Sequence, residues 1–255
     1  MDYLFLSLSA LLAGFVDAIA GGGGLIQLPA LFLFVPGAAG VPVATLLGTN
    51  KLSSICGTSM AAVQYSRRVS IPWHSLLPGA LAACGTSMMG AWFVTRLSPE
   101  VLKPVVVLLL IAVAVHTFIH KNLGQQPRPT PARRHAVLYA MVLGSGIGFY
   151  DGFFGPGTGS LLIIAFVGVL GCDFLTASAS AKIINFATNL SATVYFAATD
   201  HILFRYALPM AICNILGSML GARLAILRGN RLIRRLFLAV VLLLVLRLGW
   251  DLLST

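Results

Sequence analysis

GFVDAIAGGGG, running from Gly14 to Gly24, returns 134 residues later as GFYDGFFGPGT from Gly148 to Thr158. In each copy an aspartate, Asp17 or Asp151, precedes a glycine cluster by four residues inside an otherwise apolar stretch. Glycine and proline at matched places in two hydrophobic halves mark discontinuous membrane helices around a transport site. The match extends beyond the motif. At an offset of 131, Lys51 falls on Lys182, Pro78 on Pro209, Ser87 on Ser218, Met88 on Met219 and Gly90-Ala91 on Gly221-Ala222, and at 130 Tyr65 falls on Tyr195. The chain reads as a duplicated membrane protein, with repeats at 1–120 and 136–255 and a linker at 121–135.

Composition places it in a bilayer. With 58% apolar residues, 9% charged residues and a mean hydropathy of +0.93, the polar residues are too few to cover a water-soluble surface. Met1-Asp2-Tyr3 lacks the basic start of a signal peptide, so 3–20 is expected to be retained structure. The net charge of +10 is spread through short gaps between apolar segments, which points to anionic lipid headgroups and away from nucleic acid. Cys56, Cys84, Cys172 and Cys213 are far apart in apolar surroundings, a pattern of packing residues and neither a metal site nor a redox pair.

Long apolar runs at about 42–64, 73–95, 101–119, 176–199, 203–225 and 233–253 each approach the roughly 20 residues one helix needs to cross. The glycine-interrupted regions, 3–20 with 25–36 and 136–150 with 160–171, consist mostly of pieces too short to span alone. Each is either one broken crossing or a helical hairpin that leaves on the side it entered. Basic residues discriminate. Fifteen Lys and Arg remain when Lys51 and Lys182, which lie within spans, are set aside. Eight crossings in two four-helix repeats divide them 8 to 7 and orient nothing. Hairpins collect Arg67, Arg68, Lys121, Arg128, Arg133, Arg134, Arg223, Arg228, Arg231, Arg234 and Arg235 on one side, leaving Arg96, Lys103, Arg205 and Arg247 opposite. The positive-inside rule favours the hairpins, with both termini outside and the linker in the cytoplasm. The expected fold is all-α and polytopic: two inverted repeats, each a broken hairpin plus three transmembrane helices.

Backbone groups exposed where a helix breaks at membrane depth need a partner from protein, water or ligand. The clusters Gly21-Gly22-Gly23-Gly24 and Gly155-Pro156-Gly157-Thr158-Gly159 would present such groups, and helices starting at Leu25 and Ser160 would offer free N–H donors and the positive end of a dipole. That combination makes an anion cradle; the alternative is that the glycines only allow turns and close packing. Lys51 and Lys182 sit deep within apolar spans, where a charge costs at least about 2.5–3.5 kcal/mol and faces a partner or an aqueous cavity. They serve either a bound anion or ion pairs with Asp17 and Asp151, Lys51 with Asp17 being the first pairing to test and Asp151 the second. An aspartate that releases its lysine on protonation is also a coupling device, so Asp17 and Asp151 are the candidate proton carriers. Thr49, Asn50, Ser53, Ser54, Asn185 and Asn189 surround the lysines at helical spacing, where polar residues also serve as interhelical glue. Gly217 and Gly221 have the spacing of close helix packing. The candidate substrate site is Gly22, Gly23, Gly24, Gln27, Asn50, Lys51, Gly155, Gly157, Thr158, Gly159, Ser160, Lys182, Asn185 and Asn189, with no catalytic group, metal or cofactor.

Four segments in this order, AGFVDAIAGGGGLIQLPAL, ATLLGTNKL, GFYDGFFGPGTGS and ASAKIINFATN, closely resemble the sulfite exporter TauE/SafE family, also called toluene sulfonate uptake permeases, in its YfcA-like branch. The resemblance covers essentially the whole chain. It implies a permease of the bacterial inner membrane with two homologous halves, moving sulfite, sulfonates or related sulfur-containing anions. The second glycine cluster departs from the family pattern in carrying Gly157-Thr158 where small apolar residues often occur. No GxxxxGK[ST] is present, so an ion gradient or the substrate's own gradient would drive transport. Another small organic anion is the alternative cargo. An intramembrane enzyme is disfavoured: HExxH and GxSxG are absent, and His74, His116, His120, His135 and His201 lie mostly near segment ends. A retinal-type receptor with one Schiff-base lysine fits poorly with a duplicated lysine.

Overall fold

The computed structural model describes residues 2–98 and 132–228. The expected spans at 101–119 and 233–253, and most of the linker, lie outside the described residues. Within them the order is α1 (Asp2–Ala20), α2 (Gly24–Phe34), a 3-10 turn (Ala38–Gly40), α3 (Val43–Ser66) and α4 (Trp73–Val94), then α5 (Arg133–Phe153), α6 (Thr158–Val169), α7 (Phe174–Ala198) and α8 (Phe204–Arg228). The protein is an all-α polytopic membrane protein, and α1, α4, α5 and α8 are the described helices that combine the length and apolarity of a span. Large apolar side chains stay exposed at every fourth position, Leu4, Leu8 and Leu12 on α1 and Leu208, Ile212, Leu216 and Leu220 on α8. Such stripes would be a liability in water and are the natural surface toward lipid.

The interrupted regions are hairpins with unequal arms. In the first, α1 has 19 residues, roughly 28 Å of helix, and α2 has 11, about 17 Å, against a hydrocarbon core of about 30 Å. In the second the arms have 21 and 12 residues. The expectation that their parts are mostly too short to span is therefore corrected for α1 and α5. Asp151, Gly152 and Phe153 continue α5 past its expected end at 150, and Arg133 and Arg134 begin it ahead of the expected start at 136. The Phe5 and Phe34 rings stack 5.1 Å apart, which brings the end of α2 back to the start of α1 and excludes one continuous broken crossing. Likewise, Ala136 and Ala140 near the start of α5 share an apolar cluster with Phe166 and Leu170 near the end of α6.

The helices interlock across the two halves. α1 packs along α8 and α5 along α4, while α3 packs on α8 and α7 on α4; α3 and α7, mutually in contact, form the middle. Tyr3 meets Arg205 and Tyr65 Oη donates to the Ala18 carbonyl, so α1, α3 and α8 run one way. Ser87 Oγ donates to the Thr188 carbonyl and Thr95 meets Tyr195, so α4 and α7 run the other way, as does α5 beside α4. Corresponding helices are thus antiparallel, the geometry of an inverted repeat. Arg67, Arg68, Arg133, Arg134, Arg223 and Arg228 fall toward one end of the bundle and Arg96 and Arg205 toward the other, the division expected from hairpins.

The seams are built on small residues. On α5, Gly144, Gly148 and Gly152 recur every fourth residue against Gly79, Ala83 and Ser87 of α4, and Gly90 answers at Phe149 and Phe153. On α8, Gly217 and Gly221 sit against Leu11, Phe15 and Ala18 of α1, the close packing expected of their spacing. A Cβ at Gly152 would land on the Ser87 carbonyl, whereas Gly146, six residues earlier, has open space. Gly152→Ala should therefore destabilise the protein by about 1–3 kcal/mol through overpacking. Gly146→Ala should be neutral or stabilising by up to about 1 kcal/mol, since alanine loses less entropy in a helix. Melting temperatures of the two variants in one detergent check this; equal shifts would show that the seam does not limit stability.

Candidate functional site

Both hairpins turn at glycine. Gly21 has φ of 78° and its counterpart Gly155 has 93°, with Gly157 at 82°, conformations that L side chains rarely adopt. The two turns meet in the interior. The Ser160 amide donates to the Gly21 carbonyl at 3.3 Å and Ser160 Oγ to the Ala20 carbonyl at 3.0 Å. A Cβ on Gly21 would collide with Gly159, one on Gly159 would collide with Gly21, and one on Gly24 would lie 2.9 Å from Pro156 Cα. The glycines thus let two backbones touch tip to tip. Beyond the turns α2 and α6 start at Gly24 and Thr158, with Gly23 and Gly157 at the N-cap and no side-chain cap on either. The starts expected at Leu25 and Ser160 are earlier by one and two residues, because the glycine and threonine already adopt helical geometry. Among the described residues, the amides of Gly24, Gly157 and Gly159 have no acceptor. Capless helix N-termini with free amides favour a bound anion.

Four charges are buried beside these tips, and their pairing crosses between the halves. Lys51 Nζ on α3 lies 2.8 Å from Asp151 Oδ1 on α5, and Lys182 Nζ on α7 lies 2.7 Å from Asp17 Oδ2 on α1. The first pairing set for testing, Lys51 with Asp17, is corrected: each lysine takes the aspartate of the other repeat, because each hairpin tip reaches across to the opposite inner helix. The pairs differ in depth. The Asp17 side chain keeps 19% of its surface exposed and that of Asp151 only 4%, while both lysines are buried. Asp17 Oδ1 also accepts a long, 3.4 Å hydrogen bond from the Gly23 amide, tying α1 to the head of α2.

A polar cavity opens between the tips and the inner helices. Asp17, Gly21, Gly24, Asn50, Lys51, Ser54, Thr58, Asp151, Gly155, Gly157, Thr158, Gly159, Asn185 and Asn189 line it. The lining obeys the duplication: Asp17 faces Asp151, Gly21 faces Gly155, Gly24 faces Thr158, Ser54 faces Asn185 and Thr58 faces Asn189. Asn50, Lys51, Gly157 and Gly159 break it; Lys182, the counterpart of Lys51, is withdrawn behind Asp17 and does not reach the wall. Asn50 and Asn185 each bury a side-chain oxygen without a partner, and so does Asp151, leaving hydrogen-bonding capacity unmet in this wall.

Of the expected site residues, the cavity gathers Gly24, Asn50, Lys51, Gly155, Gly157, Thr158, Gly159, Asn185 and Asn189 with Asp17 and Asp151. Gly22, Gly23, Gln27, Ser160 and Lys182 stand outside its wall. Gly23 is helical, and a Cβ there would strike the Ala13 carbonyl and Asp17 Cβ, so its smallness serves packing on α1. Gln27 is buried and accepts from Asn214 Nδ2 at 2.8 Å on α8. Ser160 joins the two tips. Thr58 joins the wall without having been singled out; it stands one helical face along from Lys51 and Ser54 and matches Asn189 at the repeat offset.

Comparison with known proteins agrees with this architecture in extent. A probable membrane transporter protein, ORF9, of a Sinorhizobium species is 37% identical over 250 residues, covering 97% of this chain and 92% of the relative. The probable membrane transporter protein YfcA of Escherichia coli K12 is 33% identical over 242 residues, 95% of this chain and 87% of the relative. A probable membrane transporter protein of Haemophilus influenzae is 32% identical over 239 residues, 94% and 91% respectively. No solved structure matches this chain. The family profile described as sulfite exporter TauE/SafE matches residues 6–248, which takes in both hairpins, both inner helices and every residue of the cavity wall, and the chain belongs to that family.

Proposed function

We propose that this membrane transporter is a secondary carrier of small sulfur-containing anions such as sulfite or organosulfonates, and not an enzyme. The observation that carries the reading is the convergence of two capless helix N-termini, with the unpaired amides of Gly24, Gly157 and Gly159, on one cavity beside Lys51. Each N-terminus contributes roughly half a positive charge. The Lys51 ammonium, adjacent to the amides, adds a full one that Asp151 balances when no anion is present. Gradient-driven transport follows from the inverted hairpins, whose rearrangement about a fixed meeting point would alternate access to it. The names of the relatives support transport, and the family description supports sulfur oxyanions.

Unfolding of the purified protein followed in the presence of sulfite, sulfate, thiosulfate, taurine, sulfoacetate and acetate tests the cargo. A true ligand stabilises by about 2.7 kcal/mol at a hundred times its dissociation constant. Sulfite or a sulfonate is expected to raise the melting temperature well above acetate; a response to acetate alone would transfer the reading to carboxylates.

The crossed pairs give a second expectation. Lys51→Gln strands the Asp151 carboxylate and should destabilise by about 3–5 kcal/mol, while Lys51→Gln combined with Asp151→Asn should recover most of that loss. Anion binding should nevertheless remain weak in the recovered double variant, because the positive charge at the wall is gone. Full affinity there would leave the helix termini as the whole anion site.

We further assign the protein to a bacterial inner membrane, with the end bearing Arg67 and Arg68 in the cytoplasm and the N-terminus outside. Ser70→Cys, between α3 and α4, and Gly40→Cys, after α2, each introduced into a cysteine-free background, should react with an impermeant thiol reagent from opposite sides. Labelling of both from one side would contradict the hairpin arrangement.

A further inference from the structure

The two buried ion pairs are equivalent by descent and unequal in placement. Lys51 and its partner Asp151 both lie in the cavity wall, but the Asp151 side chain is only 4% exposed and is held by Lys51. In the other pair only the aspartate reaches the wall: Asp17 lies there with 19% of its side chain exposed, and Lys182 is withdrawn behind it with Asp17 Oδ2 as its acceptor. A proton arriving through the cavity therefore finds Asp17 the more accessible carboxylate, while an anion meets Lys51 and the free amides. We propose that Asp17 is the proton-carrying residue of this transporter, that Asp151 is not, and that one proton on Asp17 accompanies each anion. This rests on the anion-transport reading above.

The argument is one of charge in a poorly hydrated space. Lys51, Lys182, Asp17 and Asp151 sum to zero, so a monovalent anion entering the empty site leaves a buried net charge of one. Protonating Asp17 removes that charge, and the incoming anion in turn balances the positive charge that protonation leaves in the interior. Each event makes the other easier, which is thermodynamic coupling in the strict sense. A proton on Asp17 without an anion would instead strand a buried ammonium, so the proton has little tendency to bind alone. Asp17 also holds the Gly23 amide through Oδ1 at 3.4 Å, so its ionisation bears on the head of the α2 half-helix.

Among the described residues, other charged groups around Asp17 are few. Lys51 and Tyr65 on α3 and Lys182 on α7 lie within electrostatic reach, and Asp151 on α5 faces it across the cavity. The short helices α2 and α6 contain no titratable residue. On α8, Arg205 and Tyr206 gather at Tyr3 near the far end of α1, and Arg223 is exposed. Of the two carboxylates in the wall, Asp17 is the more exposed.

The test uses methanesulfonate and thiosulfate, anions of strong acids that keep their charge between about pH 5 and 8, so that any pH dependence of binding belongs to the protein. For the intact protein, affinity should rise about tenfold per unit fall in pH over part of this range, and uptake into proteoliposomes should carry protons with the anion. Asp17→Asn should bind with affinity nearly independent of pH and move no protons. The charge-matched double variant, Asp17→Asn with Lys182→Gln, keeps the interior neutral if the single variant fails to fold, and it should show the same flat profile. Asp151→Asn should retain the slope. A slope that survives in both Asp17 variants, or one lost only with Asp151, overturns the assignment while leaving anion transport standing. Binding that is independent of pH in the intact protein does the same. Failure of the intact protein to bind either anion overturns the transport reading and this inference together.

Discussion

Four ionised side chains lie where water is scarce, and their mutual neutralisation is the constraint from which the rest of the interior follows. An unpaired charge in such a place costs several kcal/mol, so each lysine must be met at hydrogen-bonding distance. Both partners come from the opposite repeat, Asp151 for Lys51 and Asp17 for Lys182. This fixes how far each hairpin penetrates, since its tip must bring an aspartate to the far inner helix. It also fixes the contact between α3 and α7, whose buried faces carry the two lysines. The cavity is the space left between these elements, and its polar wall follows from the same arrangement.

Glycine serves two different needs here. In the tips, Gly21 and Gly155 provide left-handed backbone and Gly159 allows contact with Gly21. Along the seams the backbone is ordinary helix, and small residues bring the axes of α4 and α5, or α1 and α8, close together, so that Ser218 on α8 reaches the Gly14 carbonyl on α1. The first use creates unpaired donors at membrane depth. The second gives the surrounding bundle the tight packing that holds those donors in place.

Much of this was legible in the chain. The doubled Asp-to-glycine motif located both tips and both aspartates, and the matched lysines located the inner helices, because a buried charge and a broken helix are each too costly to be incidental. Charge distribution separated hairpins from broken crossings, a choice the Phe5 and Phe34 stacking bears out. The pairing of charges was not legible. Equivalent residues in a duplicated chain are interchangeable on paper, and only the inversion of one half against the other decides that Lys51 meets Asp151. Nor could spacing show that Lys182 withdraws while Lys51 faces the cavity, since both occupy the same position in the repeat. Gln27 and Ser160 illustrate a further limit: polar residues next to a glycine break look like ligand contacts, yet one is bonded to Asn214 and the other joins the two tips.

The exchange of helices between halves bears on how the chain is made. Asp17 is separated from Lys182 by 165 residues. At a synthesis rate of about 5–20 residues per second, its partner emerges on the order of ten seconds or more after the first hairpin. During that interval α1 also lacks α8, the helix its small-residue face is shaped to receive. The first half must therefore wait at the insertion machinery or in the lipid with a carboxylate and an ammonium unmatched, and its final depth is set only when the second half arrives. Biogenesis of this fold is thus a matter of delayed closure, in which the late-synthesised helices complete and seat the early ones.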